Sequence, residues 1–308
     1  MNWYSHTRRA LALHAASGGG DALPPSVEAA RTDPAVAALA GPAPETGTIT
    51  ERVLDTTGGA LPVRVYEPFG RGRSGPLPAG IVYFHGGGFV VGGLDSHHAW
   101  VSALANATGR VVVAVDYRLA PEHPFPAAVH DAHTATWYVA AHARDMGLDP
   151  CRLVVAGDSA GANLAAGVAQ RAVRAGLHLD HQVLVVPWLT PATGSTSRTT
   201  FADGYVLTDA LLTWFLSHYA TPEQYDDPLL SPGLVPPIAG LAPATILTAE
   251  LDPLRDEGES YARRLRAAGV RVHLHRLTGA FHLFNLAGAA GGEVIDAAVG
   301  VIARSLPR

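Results

Sequence analysis

The chain has 308 residues, 48% of them hydrophobic and 16% charged, which describes a globular protein with a large core and excludes a disordered one. A net charge of −5 gives no reason to expect a nucleic-acid or anionic-membrane partner, and the apolar runs are strand-sized, too short to span a bilayer. The lone cysteine, Cys151, permits no internal disulfide and suits a reducing compartment.

Residues 1–45 read as a helix-prone start followed by a Gly-, Pro- and Ala-rich connector without chemistry of its own. Thr7-Arg8-Arg9-Ala10-Leu11 has the letters of a twin-arginine export signal. The apolar stretch behind it is short and broken by His14, so a cytoplasmic location is expected. About eight short β-rich runs follow, at 49–54, 61–66, 81–84, 111–115, 153–156, 183–186, 245–248 and 270–274. Helix-length, Ala-rich segments separate most of the later ones, at 96–107, 127–144, 161–175, 255–268 and 293–304. Continuous apolar strands alternating with helices predict an α/β protein, a mostly parallel sheet with helices on both faces. The first two runs have no helix between them and are expected to pair antiparallel. Residues 188–243 break the alternation with one helix, at 208–219, where an insertion beside the carboxyl edge of the sheet would form a lid.

In such a sheet ligands gather at the carboxyl ends of the strands, so the loops there carry the candidate chemistry. After 153–156 comes Gly157-Asp158-Ser159-Ala160-Gly161, a serine between two glycines at a strand-to-helix corner. One reading is a helix cap; the other is a nucleophile elbow, in which glycines let the backbone push the hydroxyl above the sheet. A hydroxyl needs a base to attack an acyl carbon at neutral pH, and an imidazole base needs a carboxylate to orient it. His282 follows the last strand, whereas His273 and His275 lie inside it. Asp252 follows 245–249, with Asp256 and Glu257 as rivals further into the next helix. His85-Gly86-Gly87-Gly88-Phe89 follows 81–84, and backbone N–H groups approach a substrate oxygen closely where no Cβ intervenes. The N–H groups of Gly87, Gly88 and Ala160 are the expected oxyanion hole, with Gly86 a near contender.

Taken together, YFHGGGFVVGG, VVVAVDYRLAPEHPFPAA, VVAGDSAGANLA, LTAELDPLRDEGESYARRLRAAGV and GAFHLF resemble the hormone-sensitive-lipase-like branch of the α/β-hydrolase esterases. The resemblance runs from about Val63 to the C-terminus. It implies the α/β-hydrolase fold in one domain over 1–308, with cap segments at 1–45 and 188–225. It also implies a Ser159, Asp252, His282 triad, no metal or organic cofactor, and short- to medium-chain carboxylic esters as substrates. One departure stands out: directly after the catalytic histidine the branch usually has a small residue, and here stands Leu283. With the cap aromatics Trp188, Phe201, Tyr205, Trp214 and Phe215, and with Phe89, Leu283 predicts a narrow, apolar pocket. Acyl groups from acetyl to about hexanoyl should be preferred.

Other readings carry less. Gly70-x-Gly72-x-x-Gly75 matches a dinucleotide fingerprint, but Pro76-Leu77-Pro78 follows in place of a helix. His130 with His133, and His273 with His275, could each present two metal ligands but lack an evident third. Cys151, ahead of a strand, reads as a packing residue. The alternative functions are transfer of the acyl group to another acceptor, an amide substrate, ring closure, or a binding protein without catalysis. A homodimer and other oligomeric states are equally open.

Overall fold

The computed structural model describes residues 1–56, 58–70, 77–191, 194–236 and 239–307; Gly72 and Gly75 of the dinucleotide-like motif lie outside them. Helix α1 (Tyr4–Ala16) is followed by two short helices, α2 (Val27–Arg31) and α3 (Pro34–Ala37), each started by a side-chain cap, Ser26 and Asp33. Then come β1 (Thr48–Thr56), β2 (Gly59–Glu67), β3 (Gly80–Phe84), α4 (His98–Thr108), β4 (Val111–Val115), α5 (Ala127–Ala141), β5 (Leu153–Asp158) and α6 (Ala160–Ala175). After β6 (His181–Val185) lie α7 (Thr196–Thr200) and α8 (Asp209–Tyr219), then β7 (Ala244–Leu251), α9 (Arg255–Ala267), β8 (Val272–Phe281) and α10 (Glu293–Ser305).

Among the described residues, the eight strands form one sheet in the order β1-β2-β4-β3-β5-β6-β7-β8. As expected, β1 and β2 make an antiparallel hairpin; β2 is also antiparallel to β4, and the remaining neighbours are parallel. The central strands are Val- and Leu-rich and buried throughout, because helices cover both faces. Alternation along β3 shows the two cores. Val82 and Phe84 meet residues of α5, α6 and α9, whereas Ile81 and Tyr83 meet residues of α1, α4 and α10. No helix among the described residues is long and apolar enough to cross a membrane.

Three expectations are corrected. The loops anticipated at Glu250 and Thr278 are strand: β7 and β8 run on in parallel past a bulge between Ala249 and Leu251. β8 is an edge strand with polar, exposed positions, so its hydrophobic pattern stops well before its pairing does. Cys151 is exposed rather than packed, because it sits in the turn ahead of β5. Nor is the N-terminal connector idle. Arg31 on α2 donates to the carbonyls of Val90 and Ala120 at 3.0 Å and pairs with Glu122 at 2.7 Å, while Asp21 accepts from Gly204 N–H at 3.0 Å. These contacts hold the segment across the carboxyl edge of the sheet.

Candidate active site

Between the end of β5 at Asp158 and the start of α6 at Ala160 the chain has one residue in which to turn. Ser159 makes the turn at φ 53 and ψ −118, a conformation uncommon for a side-chain-bearing residue. Glycine is required on both sides. A Cβ on Gly157 would overlap the carbonyl of Gly161, and one on Gly161 would overlap the carbonyl of Phe84 on β3. The corner is held by Ser159 N–H donating to Val185 O at 2.9 Å. Ser159 is consequently 8% exposed, with its hydroxyl at the head of a 16-residue helix.

His282 opens a 3-10 turn (His282–Asn285) directly after β8, and Asp252 directly follows β7. The two strands are neighbours, so their ends arrive side by side. His282 Nε2 lies 2.9 Å from Ser159 Oγ, and His282 Nδ1 lies 2.9 Å from Asp252 Oδ2. Asp252 is fully buried, and its Oδ1 accepts from Leu254 N–H at 2.8 Å, which fixes the carboxylate's orientation. The rival carboxylates are engaged elsewhere. Asp256 accepts from Ser197 N–H at 2.8 Å and Arg255 Nε at 2.9 Å, and Glu257 accepts from Leu189 N–H at 2.7 Å. Burial lifts the Glu257 carboxyl to about 8, and this outweighs the Leu189 hydrogen bond, so it is protonated at neutral pH.

The glycine loop follows β3. Gly87, Gly88 and Phe89 have φ of 116, 61 and 65 in succession. A Cβ on Gly87 would overlap the carbonyl of Val91, and one on Gly88 would overlap the ring of Phe215. The Gly87 carbonyl is used inside the loop, accepting from Val90 and Val91 N–H at 3.0 and 2.9 Å. His85 is buried and stacked on Tyr117 at 4.3 Å, and Tyr117 Oη donates to the His85 carbonyl at 2.7 Å. Burial, with His97 nearby, presses the His85 imidazole down to about 3, so it is neutral. Gly87 and Gly88 line the same cavity as Ser159, and Ala160 N–H belongs to the first turn of α6, where helix N–H groups lack helical partners. Gly86 is a correction: its N–H donates to Asp158 Oδ1 at 3.0 Å and so is not free for a substrate.

Asp158 is the functional residue that motif reading passed over. It is 3% exposed, yet its carboxylate accepts from four sources: Gly86 N–H, Tyr83 Oη, Asn285 Nδ2 at 3.1 Å and His97 Nε2 at 3.2 Å. Burial would push this carboxyl up. His97, followed by hydrogen bonds from His97, Tyr83 and Asn285, reverses that and holds it at about 2. One anion thus joins the glycine loop, the residue before Ser159 and the 3-10 turn that carries His282. A signal existed: by strand alternation Asp158 shares the face of Val154 and Ala156, where a carboxylate needs buried partners.

The cavity over Ser159 has a volume of about 900 Å³, lined in part by Trp188, Phe215 and Leu283, as expected. It is roomier and less uniformly apolar than the narrow cleft anticipated, with Arg64, Asp95 and Asp116 also in its lining. Phe89 and Tyr205 do not line it. The positive φ of Phe89 turns its ring onto Tyr219, 4.0 Å away, and Tyr205 packs edge-on against Phe201 at 5.7 Å. Trp214 packs behind Phe215 at 5.4 Å, and Arg255 covers Phe201. Of the histidine pairs, His133 stacks on Trp137 at 3.8 Å while His130, His273 and His275 are exposed. No cluster of three or more candidate metal ligands occurs among the described residues.

A protein-family model described as alpha/beta hydrolase fold matches residues 81–286. The carboxylic ester hydrolase LipN of Mycobacterium tuberculosis is 43% identical over 264 residues, 81% of this chain and 69% of that protein. The ethyl acetate hydrolase of Pseudomonas putida is 40% identical over 272 residues, 86% of this chain and 85% of that protein. A solved hyperthermophilic esterase from Pyrobaculum calidifontis aligns with a TM-score of 0.86 at 36% identity, over 97% of this chain and 96% of that one.

Proposed function

The chain belongs to the alpha/beta hydrolase family and is a carboxylic ester hydrolase, and from that premise we propose that Ser159 carries the acyl group. His282 acts as general base and then general acid, and Asp252 orients it. The observation that carries this reading is the unbroken pair of 2.9 Å contacts from Ser159 Oγ through His282 to a fully buried Asp252.

Ser159 Oγ bonds to the acyl carbon while its proton passes to His282 Nε2, and the carbonyl oxygen takes up the negative charge. N–H groups of Gly87, Gly88 and Ala160 receive that oxyanion. Collapse breaks the bond to the alcohol oxygen, which leaves with the proton from His282 Nε2. Water then attacks the acyl-serine with the same proton transfers, releasing a carboxylic acid and restoring Ser159. Segments 1–45 and 188–225 act as a cap; their contact through Asp21 and Gly204, and their shared lining of the cavity, support this. The substrates are short- to medium-chain esters, in keeping with the ethyl acetate hydrolase among the relatives. A single exposed thiol suits work in the cytoplasm.

Replacing Ser159 or His282 by Ala should each lower kcat on p-nitrophenyl acetate by about 10⁴ to 10⁶, with the double variant scarcely worse, since the groups act as a unit. A Ser159→Ala enzyme that keeps most of its turnover would overturn the assignment.

A further inference from the structure

The apolar lining of the cavity comes from two different cores. Trp188, Leu207, Leu212 and Phe215 belong to the core on the α5, α6 and α9 face of the sheet; Val206 and Leu283 belong to or pack on the core of the opposite face. The division falls between two adjacent residues, Val206 and Leu207. There the backbone makes a γ-turn of the strained kind: Val206 has φ 70, and Leu207 N–H donates to Tyr205 O at 2.9 Å. A β-branched residue in that conformation is a marked outlier, and such strain persists where the surroundings demand it. The turn joins consecutive side chains, both lining the cavity, to the cores on opposite faces of the sheet.

Each wall has its own chemical neighbour. Phe215 sits directly on Gly88, beside the glycine loop, and Trp188 N–H donates to the carbonyl of Ser159 at 3.2 Å. Leu283 is the residue next to His282. In the reaction above, the departing alcohol oxygen takes its proton from His282 Nε2, so the alcohol portion of the ester must lie on the His282 side. The carbonyl oxygen points to the glycine loop and Ala160, leaving the acyl chain the direction of Trp188 and Phe215. Resting on the catalytic reading of Ser159 and His282, we propose that Val206 and Leu283 form an alcohol-side wall that selects the leaving group. Phe215 and Trp188 then form the acyl-side wall. Leu283 therefore governs the alcohol and not the acyl length that its position in the sequence suggested.

Two ester series separate the walls: acetates of ethyl, butyl, hexyl and cyclohexyl alcohols, and ethyl esters of acetic, butyric and hexanoic acids. A pocket contact of one or a few methylenes is worth about tenfold or more in kcat/KM. Leu283→Ala should raise kcat/KM for cyclohexyl acetate relative to ethyl acetate by about tenfold, while the hexanoate-to-acetate ratio of the ethyl esters stays within about twofold. Phe215→Ala should do the reverse, and Leu283→Met, which conserves volume, should leave both ratios near wild type. Melting temperatures accompany every variant, and Val206→Ala reads the same wall should Leu283→Ala fail to fold. An acyl-series shift equal to or larger than the alcohol-series shift overturns the wall assignment. Each protein is also labelled with an aryl phosphonate. Labelling of Ser159 with unselective ratio changes sinks only the walls, whereas absence of labelling sinks the catalytic assignment and the walls with it.

Discussion

Replacing Asp158 by Asn keeps the shape of the side chain and removes its charge. In the wild-type protein one carboxylate oxygen accepts from Gly86 N–H and Tyr83 Oη, and the other from Asn285 Nδ2 and His97 Nε2. An amide can present its oxygen to only one of these pairs, so two charge-assisted hydrogen bonds are lost at about 1.5–3 kcal/mol each. Rotation of the Asn285 amide recovers part of one, which places the expected loss of stability at about 3–5 kcal/mol at pH 7. The titration expresses the same contacts as a pH dependence. A folded-state value of about 2 against 3.8 when unfolded corresponds to about 2 kcal/mol of stability from ionisation alone. Because the folded value is the lower one, that contribution is fully present above about pH 4 and is lost as pH falls through about 2. Urea unfolding of wild type and Asp158→Asn at pH 7, 4 and 2.5 should therefore show a gap that is constant between the first two and narrows at the third. The variant should also lose about 10- to 100-fold in kcat, since Gly86 and the turn bearing His282 both lose their anchor. A variant within about 0.5 kcal/mol of wild type at pH 7, with unchanged kcat, would refute the reasoning.

Asp252→Asn should lower kcat by about 10⁴ by favouring the wrong imidazole tautomer, while Asp256→Asn should change kcat little and chiefly loosen α7; the reverse order would move the triad carboxylate to Asp256. Glu257 has its carboxyl raised to about 8, so protonation is favoured in the folded state, and wild-type stability should decline as pH rises from about 4.5 through 8. Glu257→Gln should be near neutral at about pH 4, should gain on wild type as pH rises toward 8, and so should flatten that decline in melting temperature; equal slopes for the two proteins would contradict a half-buried Glu257 held protonated.

The sheet and the three reacting groups were legible in the sequence because parallel strands leave little freedom: a residue just past a strand end has one place to be. Position just past the strand favours Asp252 over Asp256, further into the helix, the family resemblance points the same way, and the neighbouring ends of β7 and β8 bring Asp252 to His282. Legibility failed where direction, not position, mattered. The left-handed backbone at Phe89 points an aromatic ring away from the cavity that its place in the sequence suggested. Gly86 lost its anticipated role because a buried anion two strands away in sequence claims its N–H, a pairing that no local pattern encodes. The far reach of β8 was hidden because an edge strand can be polar on positions that a central strand must bury.

The central claim, that Ser159 becomes acylated, is tested most directly by trapping the intermediate. Enzyme mixed with p-nitrophenyl acetate, quenched in acid within milliseconds and analysed by peptide mass spectrometry should carry one acetyl group on Ser159, formed together with a burst of p-nitrophenolate. An acetyl group on any other residue, or a full burst from Ser159→Ala, would contradict it.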